Sequence, residues 1–194
     1  MVTDRRPSRT ALRKEYDEST RVTEIRVPCP EELMPLFERI ESAREAEERA
    51  VLGRACEDLL LGFAEFYKVP APRLEVLGVR PHRTYEGQLS SELFGDYNLT
   101  RTRIRVWTKT AMVRKWTSSR TILSTLCHEF MHHLDVVQLG FGKSYHTTGF
   151  FERSHRLYLG VTGESHYPLA WRAPQRDGRY SIDWPETNRR RAAR

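Results

Sequence analysis

The sequence has few cysteines and no long apolar segment. Its three cysteines, Cys29, Cys56 and Cys127, are scattered over 194 residues and form no C-x-x-C pair. This spacing excludes a disulfide framework and a cysteine-ligated zinc motif. No apolar run is long enough to span a membrane, and residues 1–14 lack the apolar stretch of a secretory signal. We therefore expect a cytoplasmic protein.

Acidic residues are absent between Tyr97 and His128, in a chain whose net charge is +6. The basic residues and tryptophans of that stretch are Arg101, Arg103, Arg105, Trp107, Lys109, Arg114, Lys115, Trp116 and Arg120. Cationic side chains interleaved with aromatic rings suit a polyanion, and single-stranded DNA is the partner that this pattern predicts. A solvated basic face with anchoring tryptophans fits the pattern equally well.

The chain divides into three parts. Residues 1–29 are basic and poorly patterned, which predicts a flexible N-terminal arm. Residues 30–167 form the candidate domain, and residues 168–194 form a basic tail that contains proline and arginine. Helical periodicity runs from Pro30 to Tyr67, with Gly53 and Gly62 as candidate breaks.

Strands and two further helices follow. Strands are predicted at residues 73–79, 83–89 and 102–107, with a turn at residues 94–98. A helix should start at Ser118 or Ser119 and end at the glycines 140 and 142. Another should be capped by Thr147 or Thr148 and end at Gly160. This order predicts an α+β fold in which a small mixed sheet packs on the helix that starts at Ser118 or Ser119.

The sequence His128-Glu129-Phe130-Met131-His132 has the form H-E-x-x-H. Two histidines four residues apart on a helix project from one face, so both can reach one tetrahedral zinc ion. Glu129 follows the first histidine directly, which is where zinc peptidases keep the carboxylate that activates water. The motif therefore predicts a Zn²⁺ site with Glu129 as the catalytic residue.

A catalytic zinc site needs a third protein ligand. His146 is the favoured candidate because a glycine-containing loop before it can return the chain to the metal. Glu152 is the rival, since some zinc peptidases use a glutamate from a later helix. His133 points away from the shared face and is expected to be a surface histidine or one that supports the ligands. Cys127 is expected to be a small buried residue.

The motif His128-Glu129-x-x-His132, followed after thirteen residues by His146-Thr-Thr-Gly-Phe150, resembles the SprT-like (Spartan-type) zinc metallopeptidases over about residues 55–165. The resemblance implies that His128, His132 and His146 are the zinc ligands and Glu129 the catalytic glutamate. It also implies a zincin-like domain in which the sheet packs on the H-E-x-x-H helix, with Phe150 as a packing aromatic and residues 102–107 as the edge strand. Thr147 replaces the family's usual glycine, and the cysteine-rich ribbon of some members is absent.

Three functions follow as expectations. The first is a zinc-dependent metalloendopeptidase that uses a zinc-activated water, acting on proteins bound or crosslinked to DNA. The second is a regulatory zinc protease that cleaves one repressor or partner. The third is a non-catalytic nucleic-acid-binding module with a structural zinc, although such a site would not need Glu129.

Overall fold

The computed structural model of the protein describes residues 1–86 and 88–193, which form six helices and five strands. The helices are α1 (Thr10–Arg21), α2 (Pro30–Glu45), α3 (Arg49–Tyr67), α4 (Ser119–Val137), α5 (Thr148–Thr162) and α6 (Trp184–Ala192). The strands are β1 (Arg73–Val79), β2 (His82–Tyr85), β3 (Gln88–Glu92), β4 (Gly95–Asn98) and β5 (Arg103–Lys109). The predicted α+β class is confirmed.

β5 is the central strand of a three-stranded sheet, with β1 parallel on one side and β4 antiparallel on the other. Ile104 and Val106 alternate into the core, as predicted. The expectation that residues 102–107 form an edge strand is wrong, because both sides of β5 are paired. The predicted turn at residues 94–98 is also wrong: most of it is β4, the outer strand, where Gly95 allows the close packing described below.

The predicted helix from Pro30 to Tyr67 is two helices, α2 and α3, that pack against each other. The chain reverses at Glu47, which has a left-handed φ of 55°. Neither Gly53 nor Gly62 breaks the helix. A Cβ on Gly62 would lie 3.2 Å from the side chains of Leu33 and Leu36, so this glycine lets α3 approach α2 closely. Folding back buries the apolar faces of both helices against one core.

The strand predicted at residues 83–89 spans residue 87, which lies outside the described residues. On either side of it the structure has β2 and β3, which pair antiparallel as a separate, largely exposed hairpin. The hairpin stands apart from the three-stranded sheet and leads directly into β4.

Both terminal segments, the predicted N-terminal arm over 1–29 and the basic tail over 168–194, contain regular secondary structure. α1 lies in the first, and α6 in the second. Val2 forms a β-bridge with Ser181, and Trp171 forms one with Ile182. α1 is strongly polar and docks through hydrogen bonds, which apolar periodicity does not detect. Of the helices in the described parts of the chain, none is long and apolar enough to cross a membrane.

Candidate metal centre

Two helices and the loop between them position the three histidines. The Ser118 side chain caps α4 by accepting the backbone N–H of Thr121, and Thr147 caps α5 by accepting that of Phe150. Both caps were predicted. α4 ends at Val137, before the glycines, and α5 continues through Gly160 to a left-handed cap at Gly163.

His128 and His132 lie one turn apart on α4, and His146 faces them from the loop before α5. The Nε2 atom of His146 is 3.0 Å from Nε2 of His128 and 3.1 Å from Nε2 of His132. Three half-buried histidines therefore present one ring nitrogen each to a common point, where they can bind a metal ion. Within the described residues, no other group of three metal-ligating side chains comes as close together.

Polar groups on the far side of two of the rings favour particular tautomers. Ser144 Oγ donates to Asp135 Oδ2 (3.0 Å), so it accepts from His132 Nδ1 (2.8 Å). The proton of neutral His132 is then on Nδ1, and Nε2 presents a lone pair. The Asp4 carboxylate lies 3.5 Å from His146 Nδ1 and favours the same tautomer. Two lone pairs 3.1 Å apart repel each other unless a cation lies between them.

The spacing of the nitrogens fits a tetrahedral ion. Zn–N bonds of about 2.0–2.1 Å at tetrahedral angles place two ligand nitrogens about 3.3 Å apart. The two short Nε2 distances to His146 are within a few tenths of an ångström of this value. The donor set is three imidazoles, a combination that suits zinc, copper, iron or nickel.

Phe150 supports all three rings from beneath. Its ring centroid is 5.0 Å from that of His128, 4.4 Å from that of His132 and 5.2 Å from that of His146, and it is fully buried. The predicted packing role of Phe150 is confirmed. Phe151 stacks on His146 at 5.6 Å. The two phenylalanines restrict how the imidazoles can turn.

Burial keeps the histidines of α4 neutral. It lowers the pKa of His128 well below its ordinary value and that of His132 to about 3, and the neighbouring histidines add to the effect at both. A neutral imidazole is the form that binds metal, so His128 and His132 do not need to lose protons at neutral pH.

Glu129 is buried beside this cluster, with 5% of its surface exposed. Burial, and to a lesser extent the negative charge of Asp96, raises the pKa of Glu129 to about 8. β4 crosses α4 at this point: a Cβ on Gly95 would lie 3.0 Å from Cγ of Glu129 and would overlap the side chain of Thr125. Only glycine at position 95 allows β4 to pass so close to the Glu129 carboxylate.

An open cavity of about 520 Å³ gives access to His128, Glu129 and His146. One wall is formed by α4, and another by residues 92–95, which run from the last residue of β3 to the first residue of β4. Leu93 and Phe94 line this wall and are 40% and 43% exposed. Met1, Val2 and Trp184 from the terminal segments also line the cavity. It is therefore a cleft that runs past the histidines and has an apolar rim.

His132 is supported by a buried ion pair. Ser144 links its ring to Asp135, which pairs with Arg153 at 2.9 Å, and neither charged side chain is exposed. Arg153 also donates to the backbone oxygens of Ser19 and Val22, at the end of α1. Burial raises the pKa of Asp135 to about 6 although Arg153 opposes this, so the carboxylate is ionised at neutral pH.

His146 is supported by the N-terminal segment. Its backbone N–H donates to Asp4 Oδ2 at 2.9 Å, and its oxygen accepts the N–H of Asp4 at 2.8 Å. Burial acts to raise the pKa of Asp4, but the hydrogen bonds from His146 outweigh it and lower that pKa. The sequence contains no local signal for this contact, because Asp4 and His146 are 142 residues apart.

The other candidates lie elsewhere. Glu152, the rival third ligand, accepts the backbone N–H of Leu169 and is outside the histidine cluster. His133 is fully buried, where a surface or ligand-supporting histidine was expected: it donates to Pro70 O (2.7 Å) and accepts from Tyr97 Oη (2.9 Å). Its ring ties α4 to β4. Cys127 is buried, as predicted.

Three of the seven basic side chains of the acid-free stretch pair with acids from other segments. Arg103 pairs with Glu75, Arg105 with Asp96 and Arg120 with Glu164. Trp107, expected to be available for base stacking, is 7% exposed. The side chains of Arg101, Arg114 and Lys115 remain exposed. The absence of acids along the sequence therefore overstates the positive charge of this surface.

Comparisons with protein-family models, with curated proteins and with solved structures found no match to this chain. Its function must therefore be inferred from the chemistry of the cluster and the cleft.

Proposed function

We propose that the protein is a zinc-dependent metallopeptidase of the SprT-like type, with His128, His132 and His146 as ligands and Glu129 as general base. The observation that carries this proposal is the convergence of three Nε2 atoms beside a buried glutamate at the floor of an open cleft. Three protein ligands leave a position free for a reactant, as catalytic zinc sites require.

A zinc ion held by these imidazoles would supply Lewis acidity, which polarises a substrate carbonyl and makes water easier to deprotonate. Glu129 accepts the proton of the attacking water and then passes it to the leaving amine. Its raised pKa makes it a stronger base than an exposed glutamate, and a nearby dication would lower that pKa towards neutrality. His132 and His146 are held in the metal-binding tautomer by Ser144 and Asp4.

We assign the binding of a substrate peptide to the free edge of β4 and not to β5, because β5 has a partner strand on both sides. Within the described residues β4 pairs with β5 along one edge and with no strand along the other, and residues 92–95 border the cleft. An extended peptide that adds along this open edge would pass Glu129 and the histidines, with main-chain hydrogen bonds providing affinity for many sequences. Leu93 and Phe94 would contact its apolar side chains.

Glu129→Gln tests the proposal. The variant should keep one zinc per chain and lose hydrolysis of an unfolded protein substrate by at least about 100-fold, because the general base is removed. Glu152→Gln is the matched control. Glu152 is a part-buried glutamate on the neighbouring helix α5, and its side chain does not line the cleft. Full activity in Glu129→Gln would refute the role of this residue.

Proteins associated with DNA remain our proposal for the substrate, supported by the exposed Arg101, Arg114 and Lys115. The same assays, run with and without single-stranded DNA, test it. Stimulation by DNA that falls steeply with salt concentration would support this substrate class. Equal rates with and without DNA would favour the regulatory protease.

A further inference from the structure

We propose that Asp4 is a positioning residue of the metal centre, and that the segment from Met1 to Asp4 is part of the site. Its carboxylate orients the imidazole of His146 from a segment far away in sequence. The inference rests on the zinc centre of the proposed function, but not on peptide hydrolysis.

One carboxylate oxygen of Asp4 faces two nitrogens of the same histidine. Oδ2 accepts the backbone N–H of His146 at 2.9 Å and lies 3.5 Å from Nδ1. With Nδ1 turned to the carboxylate, Nε2 on the opposite side of the ring points at His128 and His132. A carboxylate behind a ligating histidine fixes its orientation and increases its basicity.

His146 needs this support more than the other two histidines. His128 and His132 are held by α4, whereas His146 lies in a loop, two residues after Ser144, whose φ is 43°. The helix that follows begins only at Thr148. In the described residues, the side chain that hydrogen-bonds to the His146 backbone is that of Asp4.

Asp4 is itself fixed independently of the histidine ring. Tyr16 of α1 donates its hydroxyl to the backbone oxygen of Asp4 at 3.1 Å. The neighbouring Thr3 is 2% exposed; its N–H donates to Tyr180 O at 2.8 Å, and its hydroxyl accepts the N–H of Tyr180 at 2.9 Å. The backbone that carries the Asp4 side chain is thus held by α1 and by the segment before α6.

Zinc affinity of the full chain, measured by competition with a chelator, tests this role. Asp4→Ala should weaken zinc binding by about 10–100-fold. Asp4→Asn should weaken it less, because the amide oxygen still accepts the His146 N–H while the charge facing Nδ1 is lost. Asp17→Asn is the matched control: it removes an acid from the same terminal region, where Asp17 pairs with Arg6. Its zinc affinity should equal that of the wild type.

The visible absorption spectrum of Co²⁺ bound in place of zinc separates positioning from a purely structural role. A displaced His146 should change the Co²⁺ spectrum of Asp4→Ala, whereas a general loss of stability would lower the melting temperature and leave the spectrum unchanged. If Asp4→Ala does not fold, Asp4→Asn decides. Wild-type zinc affinity and spectrum in the folded Asp4 variants, or equal weakening in Asp17→Asn, would overturn the inference. Asp4-dependent zinc binding in a chain without peptidase activity would instead refute only the proposed function.

Discussion

Two carboxylates lie behind the histidine cluster, and their surroundings differ. Asp135 lies in the core, paired with Arg153 and linked to His132 through Ser144, with no exposed side-chain surface. Asp4 lies at the surface, with 45% of its side chain exposed, and contacts His146 directly. The buried carboxylate connects the cluster to the stability of the fold, whereas the exposed one contacts a single histidine.

The largest effect should come from breaking the buried pair. Arg153→Met leaves the Asp135 carboxylate buried without a cation and also removes the hydrogen bonds to the end of α1, so we expect a loss of about 3–5 kcal/mol in the free energy of unfolding. Urea denaturation measures it. Arg39→Met, which breaks the exposed pair with Asp58, should cost less than about 1 kcal/mol. Equal losses in both variants would show that the Asp135–Arg153 pair is no more important than a surface pair.

Glu129 is buried like Asp135, but among the described residues it has no cationic partner. Its folded pKa of about 8 lies above the ordinary value of 4.5, so the folded metal-free protein holds a proton that the unfolded chain releases. The free energy of unfolding of the metal-free protein therefore falls as pH rises from about 4.5 to about 8. Between pH 7 and 8.5, the metal-free wild type should lose roughly 1–2 kcal/mol relative to Glu129→Gln. Parallel stability curves for the two proteins would contradict a raised pKa.

The smallest effect on stability should come from the exposed support. Asp4→Asn is expected to change the free energy of unfolding of the metal-free protein by less than about 1 kcal/mol, since its contacts are half-exposed. The same variant is expected to weaken zinc binding, as described above. A loss comparable to that of Arg153→Met would remove the distinction between the two supports.

Local patterns in the sequence predicted the elements that carry the histidines. The H-E-x-x-H spacing, the Ser118 and Thr147 caps and the apolar periodicity of α4 each depend on residues within a few positions of one another. His146 could be favoured over Glu152 because the intervening loop contains glycines. These features place the three histidines without knowledge of the tertiary structure.

The features that the sequence did not predict depend on contacts between distant segments. The order of strands puts β5 in the centre of the sheet, and no pattern within residues 102–107 distinguishes a central strand from an edge strand. α1 is polar and attaches through Ser19 and Arg153, so its sequence resembles a flexible arm. Glu75, Asp96 and Glu164 neutralise arginines from outside the acid-free stretch, which charge counting along the chain does not detect.

Metal content is the measurement that tests the three-histidine centre most directly. Elemental analysis of purified wild type should find about one zinc per chain, with the zinc lost in His146→Ala and kept in Glu152→Ala, because His146 points at the cluster and Glu152 is bonded to the Leu169 backbone. Zinc that is kept in His146→Ala and lost in Glu152→Ala, or no metal in any form after supplementation, would contradict it.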